Sequence, residues 1–148
     1  MRKRTLAREA VLKILYQADI SRRQVGLAAD KYWSESESED KTIRDFADRL
    51  TRGIEKELTA IDGKISQYAT NWQIKRMAVI DRNVLRIGVF ELLYASDIPP
   101  KVTINEAVEL AKKYGDSESS KFVNGILDKI HKTEAYSKTE NPSENKVK

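Results

Sequence analysis

Between Asp81 and Ala95 the chain places Val84, Leu85, Ile87, Val89, Phe90, Leu92 and Leu93 so densely that a helix built from them is apolar on nearly every side. Such a helix is a central, buried one. Gly88 in its middle predicts close packing of a neighbouring helix. The other segments carry one-sided patterns. Leu6, Ala10, Val11, Ile14, Leu15 and Ala18 share one arc of a helix from about Arg4 to Asp19. A weaker helix is expected from Val25 to Trp33, and a last one carries Phe122, Val123, Ile126, Leu127 and Ile130. Alternation of period two, the mark of a half-buried strand, is not found.

Helix starts and stops divide the rest. Thr42-Ile43-Arg44-Asp45 and Thr59-Ala60-Ile61-Asp62 each set a capping oxygen three residues ahead of a carboxylate, which predicts helices beginning near 42 and 59. Pro99-Pro100 is expected to end the central element, after which Thr103-Ile104-Asn105-Glu106 opens a helix that Gly115 closes. The stretch from Ser34 to Asp40 repels itself and reads as a solvated loop. At 148 residues the chain is long enough for one core. The expected fold is all-α: a compact single-domain bundle of about seven helices over residues 1–134, followed by a disordered tail over 135–148.

The chain has no Cys and a single His, His131, and it lacks a Gly-rich phosphate loop or metal-ligand spacing. It therefore reads as a protein that catalyses nothing and needs no cofactor or metal. Asp81, Glu91, Glu106 and Glu109 read as caps or surface charges on helices. No apolar run approaches the ~20 residues that span a bilayer, and no secretory signal opens the chain, so a soluble cytoplasmic protein without a membrane partner is expected.

The net charge of +4 lies entirely in the first 13 residues, where Arg2, Lys3, Arg4, Arg8 and Lys13 face only Glu9. Clustered cations on a rigid helix suit nucleic-acid phosphates, although a short basic run also occurs as a solvated end. On the first helix Arg4, Arg8, Leu12, Tyr16 and Ile20 form a stripe spaced by four, basic at its start and apolar at its end. Its apolar half either docks another protein or packs under the next helix.

Four segments carry a resemblance to a known family: Arg8-Glu9-Ala10 through Leu15-Tyr16, Asp81-Arg82-Asn83-Val84-Leu85-Arg86 through Glu91-Leu92, Val102-Thr103-Ile104-Asn105-Glu106-Ala107 through Leu110-Ala111-Lys112, and Lys121-Phe122-Val123-Asn124-Gly125-Ile126-Leu127-Asp128. In their order and spacing they resemble the NusB family of transcription antitermination factors. The resemblance implies an all-helical RNA-binding factor that pairs with the ribosomal protein NusE on the single-stranded boxA element of ribosomal RNA leaders. Acting with other Nus factors, such a pair helps RNA polymerase resist termination, and it also assists ribosome maturation.

Carried over by position, the resemblance implies that Arg2, Lys3, Arg4 and Arg8 neutralise RNA phosphates and that Tyr68 and Phe122 bring rings to the bases. Lys121 and Asn124 would contact phosphate or a base edge, while Tyr16, Ile20, Asp81, Arg82 and Val84 would form the NusE surface. Phe122 is equally readable as core and Asn124-Gly125 as a buried pair. In a different class of function, the chain would be a docking scaffold for NusE in ribosome assembly with only non-specific RNA affinity. Whether the free protein is a monomer or a homodimer is left open.

Overall fold

The structure, a computed structural model, describes residues 2–37, 40–70 and 74–135. Seven α-helices account for most of them: α1 (Arg2–Ser21), α2 (Val25–Glu35), α3 (Lys41–Lys56), α4 (Leu58–Tyr68), α5 (Val79–Tyr94), α6 (Pro100–Tyr114) and α7 (Ser119–Ile130). A 3-10 turn, Ile74–Arg76, precedes α5, and a π-helical turn, His131–Ala135, continues α7. No strand occurs among the described residues, so the all-α expectation of seven helices holds. Residues 136–148 of the expected tail, and Ser38 and Glu39 of the acidic stretch, lie outside the described residues.

The apolar surplus of α5 makes it the axis of the molecule, with every residue from Asn83 to Leu92 buried. Helix α1 runs antiparallel to it, tied by Arg8 to Glu91 near one end and by Asp19 to Arg82 and Arg86 near the other. Helix α6 folds back along α5 and lies parallel to α1, since Thr5 donates to Glu106 at 3.0 Å and Lys113 to Glu9 at 2.8 Å. Helix α7 lies along α5 where Gly88 leaves room: a Cβ at Gly88 would stand 2.6 Å from Leu127 Cδ1, far inside van der Waals contact. Gly53 likewise lets α3 approach the Phe90 ring of α5.

The helices expected near 42 and 59 begin at Lys41 and Leu58, and α6 begins at Pro100 rather than at Thr103, but the capping side chains differ from the sequence expectation. Helix α3 is capped by Asp40, whose Oδ1 accepts from the N–H groups of Thr42 at 2.9 Å and Ile43 at 3.2 Å. Helix α4 has no side-chain cap, and Asp62 turns to Arg86. Pro99-Pro100 does not end α5; Pro100 is the first residue of α6, which places Thr103 a turn inside, donating to Glu91 at 2.7 Å. Glu91, expected as a surface charge, is buried, while Gly115 ends α6 as expected.

Candidate nucleic-acid interface

The basic start of α1 splits by burial. Lys3 and Arg4 are exposed. Lys3 Nζ lies 3.2 Å from Asp40, and the Arg4 guanidinium sits 4.3 Å from the centre of the Phe46 ring, an arrangement that orients a cation without neutralising it. Arg8 is different. It is 3% exposed, and its guanidinium forks onto Glu91 with contacts of 2.7 and 2.9 Å, with Glu106 a further 3.6 Å away. Arg8 is therefore not a phosphate contact as expected: a buried charge must be paired, and Glu91 already holds both arms of its fork. The Arg2 side chain lies outside the described residues.

Phe122, in the first turns of α7, is half-buried and walls a cavity of about 550 Å³ together with Met77, Ala78, Asp81, Asp116 and Lys121. Lys121 and Asn124 are exposed on the same helix, and a Cβ at Gly125 would meet nothing within 4 Å, so Asn124-Gly125 is not a buried pair. Asp81 opens onto this cavity, and its Oδ1 is buried without a hydrogen bond among the described residues. Burial pushes its carboxyl above the usual carboxylate range, against a hydrogen bond from Ser119 and with help from the charge of Asp116.

Tyr68 is held at the other end of α7. Its hydroxyl donates to Glu134 Oε2 at 2.6 Å, and Lys64 Nζ reaches the same oxygen at 3.0 Å. The carboxylate raises the Tyr68 phenol above its ordinary value, and Tyr68 and Lys64 in turn hold Glu134 low. Glu134 follows Phe122 by twelve residues, roughly 18 Å at a helical rise of about 1.5 Å per residue. The two aromatic positions are therefore separate stations rather than one pocket.

The expected protein-docking stripe also divides. Leu12 is buried at 1% exposure, whereas Tyr16 at 36% and Ile20 at 56% stand out from α1. Tyr16 borders a groove of about 780 Å³ that Tyr32, Ile80 and Tyr114 also line, three residues that the apolar pattern alone did not single out. Val84 is fully buried, so it supports the start of α5 from inside and touches no partner, contrary to expectation. Arg82 is mostly turned inward, donating to Asp19 at 3.0 Å and to the Ile74 carbonyl at 3.1 Å. Burial pushes Asp19 up, but the hydrogen bond from Asn83 and the charges of Arg86 and Arg82 outweigh it and hold the carboxyl low.

Six helices around the buried α5, with exposed cations at one end, two aromatic stations and an aromatic groove, make an all-helical protein whose distinctive groups lie on its surface. No group of residues among those described is arranged to hold a metal, and no described helix is long and apolar enough to cross a membrane. The chain belongs to the NusB family, whose model matches residues 5–132. A transcription antitermination protein NusB of Anaeromyxobacter dehalogenans is 47% identical over 128 residues, covering 86% of this chain and 89% of the relative. NusB of T. maritima superimposes with a TM-score of 0.84 at 44% identity, over 93% of this chain and 96% of that one. A crystal structure of antitermination factors NusB and NusE in complex with dsRNA matches at a TM-score of 0.82 and 31% identity, over 89% of this chain and 98% of that one.

Proposed function

We propose that this chain, with NusE, binds boxA-type RNA of ribosomal RNA leaders and, with other Nus factors, helps RNA polymerase resist termination. The observation that carries this reading is the division of the surface. The cations Lys3, Arg4 and Lys121 and the rings of Tyr68 and Phe122 supply phosphate contacts and stacking, while Tyr16 and Ile20 form a separate exposed apolar patch beside a groove. The solved relative that joins NusB, NusE and RNA supports the assignment of these two surfaces to two partners. In this reading the exposed Asn124 meets a base edge, and Asp81, which shares a cavity with Lys121 and Phe122, forms with the outer part of Arg82 the charged rim where the NusE surface adjoins the RNA surface.

Fluorescence anisotropy with a labelled boxA RNA and a scrambled control, with and without NusE, tests the reading. Preference for boxA that sharpens with NusE is expected. Equal binding of both RNAs together with tight NusE binding overturns it in favour of an assembly scaffold, a second reading that gains weight from the burial of Arg8, which thins the basic end.

A further inference from the structure

Lys64 and Tyr68 are one helical turn apart on α4, side by side on one face, and Glu134 reaches them from the turn beyond α7. Both of its bonds end on one atom: Tyr68 and Lys64 meet Oε2, which leaves Oε1 without a hydrogen bond among the described residues. The Lys64 and Glu134 side chains remain 33% and 25% exposed, so the cluster is open to a ligand. The Lys64 ammonium has three N–H donors, of which one goes to Glu134 at 3.0 Å and one to Gln67 at a long 3.5 Å, leaving one for a phosphate. Ring, cation and open acceptor thus lie together, within the span of a single nucleotide.

We propose that Tyr68, Lys64 and Glu134 form a nucleotide subsite that selects ribose over deoxyribose: a base stacks on Tyr68, Lys64 takes the adjoining phosphate, and Glu134 Oε1 accepts the hydrogen bond donated by the 2′-hydroxyl. The inference rests on the reading of Tyr68 as an RNA contact. Each group has a matching role. A carboxylate is a strong acceptor for a hydroxyl, and the 2′-hydroxyl is the group by which a protein tells RNA from DNA. Lys64 offsets the repulsion that Glu134 alone would exert on a phosphate. Because its two partners hold Glu134 low, it stays an ionised acceptor through the neutral range.

The test is a scan of a boxA-type RNA in which each nucleotide in turn is made 2′-deoxy, read by anisotropy with the full chain, Tyr68→Ala and Glu134→Ala. With the unaltered chain one position is expected to show a loss of about two- to tenfold on deoxy substitution. Glu134→Ala should lose a similar factor on all-ribose RNA and show no further loss at that position. Glu134→Met, which keeps the length of the side chain without a strong acceptor, gives the same reading should Glu134→Ala disturb the turn. If Tyr68→Ala binds like the unaltered chain, the RNA role of Tyr68 falls and this inference with it. If Tyr68→Ala weakens binding but the deoxy penalty persists undiminished in both Glu134 variants, the cluster is a structural latch and only this inference falls.

Discussion

Arg4 and Arg8 are indistinguishable in the sequence, one turn apart on the same stripe of the same helix. The structure gives them opposite surroundings, because Glu91, 83 residues away, reaches only Arg8. Charge is legible in a sequence; the partner that consumes it is not. Arg8→Ala should therefore lower stability by about 3–5 kcal/mol in chemical denaturation by leaving Glu91 buried and unpaired, whereas Arg4→Ala should leave stability nearly unchanged and weaken RNA binding. Asp81 gives a second contrast. Its folded carboxyl is raised by burial, so the ionised form opposes folding at neutral pH. Asp81→Asn is expected to raise Tm at pH 7. The gain should shrink as the pH falls through the raised folded value and vanish below the ordinary Asp value, where both states are protonated. Thermal melts across that range check it, and a fall in Tm at pH 7 would mean that the Ser119 contact outweighs the desolvation.

The elements were largely legible, the starts near 42 and 59 and the stop at Gly115 included, and the side chains that cap them were not. Helix existence follows from apolar period, a property of each segment by itself, and so α1, α5 and α7 emerge near their true places. The threonine capping boxes misled because Asp62, Thr103 and Glu106 are all engaged by side chains on other helices, contacts between residues distant in sequence. Gly88 was readable because a glycine in an otherwise apolar helix signals a close neighbour, and Leu127 is that neighbour. Gly88→Ala should cost about 1–3 kcal/mol, since Leu127 is fully buried and has no open space into which to swing. Equilibrium denaturation measures the loss, and an unchanged midpoint would show that α7 slides along α5 without resistance.

At the scale of the whole molecule, α1 belongs to both proposed surfaces, with its basic start at one end and Tyr16 and Ile20 toward the other, and α5 fixes their separation. The family resemblance suggested both surfaces as residue sets, and the burial of Arg8 and Val84 within them was not legible because exposure is a property of the packed bundle. With Arg8 removed, the phosphate contacts at the basic end reduce, among the described side chains, to Lys3 and Arg4. Each phosphate contact on a single strand contributes about 0.7 to the slope of log affinity against log salt. Lys3→Ala and Arg4→Ala should each lower that slope by roughly this amount, and the double variant by their sum, because the two side chains share no partner: Lys3 meets Asp40 and Arg4 lies over the Phe46 ring. Tyr16→Asp should abolish NusE binding while leaving helicity and the salt slope of the chain alone intact, since Tyr16 is exposed on a helix whose core face is elsewhere. Anisotropy titrations between 50 and 200 mM salt, run on roughly equal footing with circular dichroism, separate the outcomes. A slope that falls with Tyr16→Asp would mean that RNA crosses the groove beside Tyr16, and that the two surfaces are one.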